Sequence, residues 1–368
     1  MAQSRRLELH PDRLFPSDPV VRDIARRLYQ QIKDLPIVSP HGHTDPRWFA
    51  EDANWDNATA LLLLPDHYVF RMLYSQGIKL EELGIRRKDG AVVESDYRKI
   101  FHIFAKHYYL FRGTPSRIWL DTVFHDVFGL TETLCEDTAD HYYDSINAQL
   151  AKPEFKPRAL LERFNIELIA TTEGALNDLK HHAKLKGTGF ETRVITTFRP
   201  DDVVDADRAD FAANVAKLGE ITGEDTKSWQ GYLAALRKRR KVFREHGATA
   251  TDHGHPTAIT ADLAMKDAAA LFQRCLSGKA TAAETELFRG QMLTEMAGMS
   301  LEDGMTMQIH PGAHRNHNQV IFERFGADKG ADIPSPTEYV QALKPLLQKY
   351  GNEASLNIIL FTLDETTY

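Results

Sequence analysis

The stretch LPIVSPHGH, residues 35–43, decides the fold prediction. Its apolar part is too short for a buried helix and ends at a Ser-Pro pair, which predicts a strand that stops just before the histidines. His41 and His43 are two residues apart on an extended segment, so both side chains point to the same side and can share one metal ion. Parallel α/β barrels carry their chemistry at this end of the strands. The alternative is a His-Gly-His turn that binds nothing.

Later segments repeat the pattern of an apolar strand followed by polar or ionisable side chains. Helical segments separate these strands, which predicts a parallel sheet, and polar groups after nearly every strand favour a barrel over an open sheet. His310 closes the fifth strand, the position expected of a residue in an active site. The predicted strands after the first are residues 166–172, 193–198, 248–251, 305–309 and 356–363.

The chain before the second strand is mainly helical. Asp18 is predicted to cap the first helix, with Pro19 at its first position. Residues 45 to about 156 contain too much helix for one crossover, and we expect a helical insertion over the mouth of the barrel. The predicted parts are an N-terminal helix with barrel strand 1 (1–44), a helical insertion or lid (45–157), and barrel strands 2–6 with their crossover helices (158–368).

Composition excludes several classes of protein. The 368 residues carry a formal net charge of −7, which offers no basic field for nucleic acid. We expect the basic run at 237–241 to form a solvated helix face. Cys135 and Cys275 are too few for a disulfide framework, and a reducing cytoplasm fits them. Without a membrane span or signal peptide in the sequence, we expect a cytoplasmic protein that acts on a small molecule, without nucleic-acid or membrane partners. The oligomeric state stays open, with a homo-oligomer among the alternatives.

Five segments, in order along nearly the whole chain, resemble the uronate (glucuronate) isomerases of the amidohydrolase superfamily. The most distinctive are DHYVFR at 66–71 and FRPD at 198–201, since an H-x-H alone would fit any amidohydrolase. The others are HGH at 41–43, DHG at 252–254 and HPGAHRN at 310–316. The resemblance implies a distorted (β/α)8 barrel of the TIM type, with the six predicted strands as its first six. It also implies that the last two βα units, with an aspartate near the metal, have no counterpart in this sequence.

The resemblance further implies an aldose–ketose isomerisation, of D-glucuronate to D-fructuronate and of D-galacturonate to D-tagaturonate. This chemistry needs a base at C2, stabilisation of a cis-enediolate, and a cation for the substrate carboxylate. A divalent metal, zinc by preference, would organise the reacting oxygens, and whether turnover requires it stays open. The predicted residues are catalytic Tyr68, His67 and His310, substrate-binding Arg199, Arg71, His253 and Arg315, and metal-binding His41 and His43.

Each role has an alternative. Arg199 can grip a carboxylate with its planar fork or serve in a structural salt bridge. Tyr68 can transfer a proton or pack the lid together with Arg71. The whole chain could instead be a metal-dependent hydrolase, although the segments at 252–253 and 363–364 lack the lysine and histidine such enzymes usually bring. A truncated sugar-acid binder without catalysis is the third alternative.

Overall fold

The computed structural model describes residues 6–367. This range holds sixteen α-helices: α1 (Pro19–Ile32), α2 (Pro46–Glu51), α3 (Ala58–Leu62), α4 (His67–Tyr74), α5 (Tyr97–Lys106), α6 (Pro115–Thr122), α7 (Ala139–Leu150), α8 (Pro157–Arg163), α9 (Lys180–Leu185), α10 (Asp201–Val204), α11 (Phe211–Thr222), α12 (Trp229–Arg244), α13 (Met265–Leu276), α14 (Ala282–Asp303), α15 (Gln319–Phe325) and α16 (Lys344–Tyr350). Its strands are β1 (Ile37–Ser39), β2 (Ile166–Gly174), β3 (Val194–Arg199), β4 (Ala250–His253), β5 (Thr306–Ile309), β6 (Ala313–His314), β7 (Ile333–Pro334) and β8 (Ile358–Leu360). No helix within the described range is long and apolar enough to cross a membrane.

The described residues form two compact units. The helical unit comprises residues 6–36, 52–165 and 315–333, and the sheet unit comprises residues 37–51, 166–314 and 334–367. The three-part division at residues 44 and 157, and the position of the helical part over a barrel mouth, stay predictions.

The sheet unit is built on six parallel strands in the order β1-β2-β3-β4-β5-β8. All six predicted strands are present in it. The fourth, predicted at 248–251, instead occupies Ala250–His253, so Asp252 and His253 lie within the strand rather than after it. The sixth is shorter than predicted and covers Ile358–Leu360.

The two faces of this sheet differ in polarity, because successive side chains of a strand point to opposite faces. Phe198 and Ile309 belong to the apolar core that the sheet forms with its helices, and the Phe198 ring meets that of Phe243 of α12 edge-on at 4.9 Å. Side chains one position away, such as Asp252 and Gln308, point to the opposite face because successive residues of a strand alternate. Asp252 and Gln308 are paired in the register of β4 and β5, so they lie side by side. The opposite face therefore carries the polar groups.

The helical unit has an aromatic core of its own. Phe101 and Phe104 of α5 are fully buried, and the Phe104 ring lies 5.2 Å from that of Tyr108. The predicted start of α1 is confirmed, because the Asp18 side chain accepts from the Val21 amide, and Thr114 caps α6 in the same way. Side-chain oxygens at these positions satisfy backbone N–H groups that have no partner inside the helix.

The solvated face predicted for the basic run at 237–241 is present at Arg237, Lys238 and Lys241, but the prediction is wrong for the other two residues. Arg239 and Arg240 of α12 are buried. Arg239 donates to the backbone carbonyls of Ala175 and Asn177, and Arg240 donates to the carboxylate of Asp303. A run of consecutive cations on a helix points in every direction around its axis, so two of them reach the interior, where acceptors compensate their burial.

Candidate active site

The His-Gly-His turn directly follows β1 in the sheet unit. Its first histidine lies between two other rings, with the His310 ring 5.4 Å away and edge-on, and the Phe361 ring 5.1 Å away. The ring of His43 is likewise 5.4 Å from that of His41. The structure thus brings His310 to His41 and His43, from which the sequence separates it by more than 250 residues.

Asp252 lies at the centre of this group with a completely buried side chain. Its Oδ1 is 2.6 Å from His310 Nε2 and 3.7 Å from His41 Nδ1, and its Oδ2 is 3.6 Å from Arg199 Nη1. Burial alone raises the pKa of this carboxyl, but its contacts with His310, the Arg199 guanidinium and His41 outweigh burial, so the pKa lies below its ordinary value. Asp252 is therefore an anion in the site.

His41, Asp252 and His310 can hold a divalent metal ion. Each offers a ligand atom, and these atoms lie within 4.8 Å of one another. Both oxygens of Asp252 and Nε2 of His310 are buried without a hydrogen-bond partner among the described residues, although they approach each other closely. Lone pairs that converge without hydrogen-bond geometry are typical of groups that share a cation. Two imidazoles and one carboxylate form a ligand set that Zn²⁺ binds.

His43, the second predicted ligand, lies beside this trio but is not part of it. Burial is the main cause that lowers the pKa of His43, and the positive charge of Arg199 adds to it. The imidazole is thus held neutral, which is the form that binds metals. Its role as a ligand stays a prediction.

Arg199, at the end of β3, is anchored by a carboxylate two residues further on. Its Nε donates to Asp201 Oδ2 at 2.8 Å, and the Gly254 amide donates to the same carboxylate at 3.2 Å. A Cβ at position 254 would lie 2.2 Å from Arg199 Nη2 and 3.0 Å from the His310 ring. Only glycine lets the chain after β4 pass this close to both groups.

His253, a predicted substrate-binding residue, directly follows Asp252 in β4. Its side chain is fully buried, on the face of β4 opposite to Asp252, and its Nε2 lies 2.9 Å from the hydroxyl of Thr251. Burial lowers the pKa of His253 to about 3, so the ring is neutral. The ring therefore lies on the face of the sheet that carries the apolar core, whereas Asp252 faces the site, and the substrate-binding role of His253 stays a prediction.

The remaining predicted residues belong to the helical unit. Asp66 caps α4 by accepting from the Tyr68 amide, which places His67 and Tyr68 in the first turn. The Arg71 guanidinium lies over the Tyr68 ring at 4.8 Å, and the ring is 47% exposed. Arg315 lies 3.6 Å from Asp332. The site roles predicted for His67, Tyr68, Arg71 and Arg315 stay predictions.

The site also contains residues that were not predicted to belong to it. Asp252 and Gln308 could have been found from the period of two along a strand, because Gln308 shares its face with His310 and Asp252 lies on the face opposite to the apolar core. Asp201 could have been suspected from its spacing to Arg199. No local signal identifies Phe361, whose contact with His41 spans most of the chain.

A parallel sheet with side chains that could hold a metal ion at the carboxyl ends of its strands is typical of the class of α/β-barrel enzymes. The family model described as glucuronate isomerase matches residues 19–368. The chain therefore belongs to the glucuronate isomerase family, and the predictions of family, of barrel type and of an isomerase are confirmed.

Individual relatives support this family assignment. A protein named uronate isomerase from Rhizorhabdus wittichii is 62% identical over 362 residues, which cover 98% of this chain and 76% of that protein. The crystal structure of glucuronate isomerase from Caulobacter crescentus superposes with a TM-score of 0.95 at 56% identity and covers 99% of this chain and 76% of that one. The uronate isomerase structure from Thermotoga maritima has a TM-score of 0.86 at 29% identity, over 94% and 74% of the two chains.

Proposed function

We propose that this enzyme interconverts D-glucuronate and D-fructuronate, and D-galacturonate and D-tagaturonate, in the breakdown of hexuronates. The observation that carries the proposal is the group of His41, Asp252, His310 and Arg199, which combines metal-ligating atoms with a cation suited to a sugar acid. Membership of the glucuronate isomerase family supports the same reaction.

Arg199 is proposed to bind the substrate carboxylate. A guanidinium grips a carboxylate through two parallel hydrogen bonds, and its orientation must be fixed for that grip to be selective. Asp201 supplies this orientation by accepting from Nε at 2.8 Å. The structural salt bridge considered as an alternative is thus present, and in the proposal it supports substrate binding.

The proton transfer is assigned to Tyr68, with His67 and His310 as the other catalytic groups. A base takes the proton from C2, the cis-enediolate forms, and the proton returns at C1. The Tyr68 hydroxyl is carried by a solvent-exposed ring that Arg71 covers on one face, and the His67 ring lies 4.5 Å from it. His310 lies beside Asp252, where its imidazole could orient a substrate oxygen.

His41, Asp252 and His310 would hold the metal, which we propose to be Zn²⁺, with His43 beside them as a further imidazole. When bound, such an ion supplies Lewis-acid stabilisation to the neighbouring oxygens of the substrate. The choice of zinc over harder cations rests on the imidazoles, since magnesium and calcium prefer oxygen ligands.

We place the reaction in the cytoplasm, because Cys135 and Cys275 are both free thiols and a reducing compartment maintains them. The proposal needs no nucleic acid, membrane or protein partner. Static light scattering of the purified protein distinguishes a monomer from a homo-oligomer.

The decisive experiment is incubation of the zinc-supplemented protein with D-glucuronate or D-galacturonate, with formation of the ketouronate followed by NMR. Ketouronate formation that falls in the Asp252→Asn variant is the expected result. A folded, zinc-loaded protein that binds the sugar acid but forms no ketouronate would contradict the proposal and favour the non-catalytic binder.

A further inference from the structure

Two side chains from separate strands hold the backbone of the His-Gly-His turn. Thr172 of β2 donates its hydroxyl to the Gly42 carbonyl at 2.7 Å. Gln308 of β5 donates its amide to the Pro40 carbonyl at 3.2 Å, and its carbonyl oxygen lies 2.6 Å from His41 Nδ1. Three contacts thus converge on three consecutive residues, at the point where the sheet presents its first metal-ligating side chain.

The orientation of the Gln308 amide fixes the tautomer of His41. The Pro40 carbonyl can only accept, so the amide NH₂ group must face it. The amide oxygen then faces His41, and because this oxygen also only accepts, Nδ1 of His41 must carry a hydrogen. In a neutral imidazole with a proton on Nδ1, the lone pair that can bind a metal lies on Nε2.

Thr172 acts on the same turn from the other side. A Cβ at position 42 would lie 3.1 Å from the carbonyl oxygen of Ala170, so the turn already runs close to the backbone of β2. The Thr172 hydroxyl fixes the turn in this position by bonding Gly42. The location of His41 and His43 relative to the sheet therefore depends on this single hydroxyl as well as on β1.

We propose that Gln308 and Thr172 are positioning residues for metal binding: Gln308 fixes the orientation and the tautomer of the His41 ring, and Thr172 sets the position of the turn. The inference rests on the metal role proposed for His41. Neither residue needs to touch the metal or the substrate. Partners that orient a ligating histidine typically change metal affinity by about 10–100-fold when they are removed.

The first test is the Zn²⁺ dissociation constant, measured by competition with a chromophoric chelator. We expect Gln308→Met and Thr172→Val each to weaken Zn²⁺ binding by about tenfold or more. Gln291→Met and Thr226→Val are matched controls: Gln291 of α14 accepts from the Leu263 amide and donates to the Glu295 carboxylate, and the buried Thr226 donates to the Val215 carbonyl. These controls remove the same chemical groups away from the turn and should bind Zn²⁺ as the unaltered protein does.

The second test reads the tautomer directly and does not require metal. Protein labelled with ¹⁵N-histidine is examined by NMR, and the His41 signals are identified by their loss in His41→Asn. The unaltered protein and Gln308→Glu should show the proton on Nδ1, because a carboxylate accepts it as well, whereas Gln308→Met should shift the population toward the other tautomer.

The outcomes separate the two proposals. A proton on Nε2 in the unaltered protein, or Zn²⁺ affinity within twofold of normal in folded Gln308→Met and Thr172→Val, would overturn the positioning roles. Failure of the unaltered protein to bind Zn²⁺ would overturn the proposed metal site and, with it, the positioning of a metal ligand, while the NMR result would still show whether Gln308 sets the tautomer.

Discussion

Asp252 and Gln308 are direct neighbours in the parallel register of β4 and β5, and both lie on the polar face of the sheet. One is a buried anion beside His310, and the other is an amide bonded to His41. The two strands thus deliver a ligand and the group that orients a second ligand to the same place. Parallel strands can do this because neighbouring residues in register share a face.

Replacing Asp252 by Asn should remove bound metal. The substitution keeps the shape of the side chain but removes the negative charge that balances the cation. We expect elemental analysis of dialysed protein to show less than a tenth of the unaltered zinc content. Asp262→Asn, at a surface carboxylate that pairs with Lys349, is the control and should keep full metal content. Unchanged zinc in Asp252→Asn would exclude this carboxylate as a ligand.

Replacing Arg199 by Lys should impair turnover of uronates. Lysine keeps the charge but loses the planar fork and the Nε contact with Asp201. Losing a partner of a buried charge pair typically costs about 2–5 kcal/mol, so kcat/KM should fall by at least about one order of magnitude. Steady-state kinetics with D-glucuronate measure the effect. Arg237→Lys, at an exposed pair with Glu302, should behave like the unaltered protein, and similar kinetics for both variants would remove Arg199 from substrate binding.

The isotope prediction concerns Tyr68. If one group carries the proton between C2 and C1, substrate deuterated at C2 should deliver some deuterium to C1 of the ketouronate, and the rest should exchange with solvent. Tyr68→Phe should suppress both transfer and exchange, as seen by NMR and mass spectrometry, whereas Tyr97→Phe, another exposed tyrosine, should not. Ketouronate that forms with all deuterium still at C2 would refute the enediolate route.

A pH-dependent loss of stability is predicted from His182 of α9. Its ring is buried against the Thr171 hydroxyl at 2.9 Å, and burial lowers the pKa of His182 to about 4 from 6.5. Between these values the unfolded chain binds the proton and the folded chain does not, so the free energy of unfolding falls as the pH drops from about 6.5 to about 4. The full contribution is roughly 3 kcal/mol.

Urea denaturation across this pH range tests the prediction. His182→Gln should show a flatter dependence of unfolding free energy on pH than the unaltered protein. Leu185→Val, a buried change in the same helix, should lower stability at every pH without altering the slope. An identical slope in His182→Gln would mean that His182 does not titrate as proposed.

Periodic patterns allowed most of the sheet unit to be predicted. The six strands of this unit follow from apolar runs, and the cap of α1 in the helical unit follows from a capping residue. Both are local properties of the sequence. The site could be predicted only in part. His41 and His310 stand at strand ends and are visible in the sequence, but the closeness of Asp252 to both depends on the register of three strands. Register is set by packing over long separations, which no local pattern records.

The failure at the basic run has a related cause. Sequence composition gives the number of charged residues in the run. It does not show which of them are buried, because that depends on which face of α12 packs against the rest of the sheet unit. Arg239 and Arg240 lie on that face and are compensated by backbone carbonyls and by Asp303. The prediction of a solvated face treated the five residues 237–241 as equivalent. In a helix, each side chain points about 100° away from the side chain before it, so consecutive residues face different surroundings.

The net charge that includes these two guanidinium groups also affects how the proposed substrate reaches the protein. The chain has a formal net charge of −7, in which the two buried arginines are already counted, so a distant solute meets a negative electrostatic potential. A sugar acid, the proposed substrate, is itself an anion and would diffuse against this repulsion before Arg199, its proposed binding residue, attracts it at short range. Moderate ionic strength screens the long-range repulsion more than the short-range attraction, so substrate capture should become faster, rather than slower, when salt is first added.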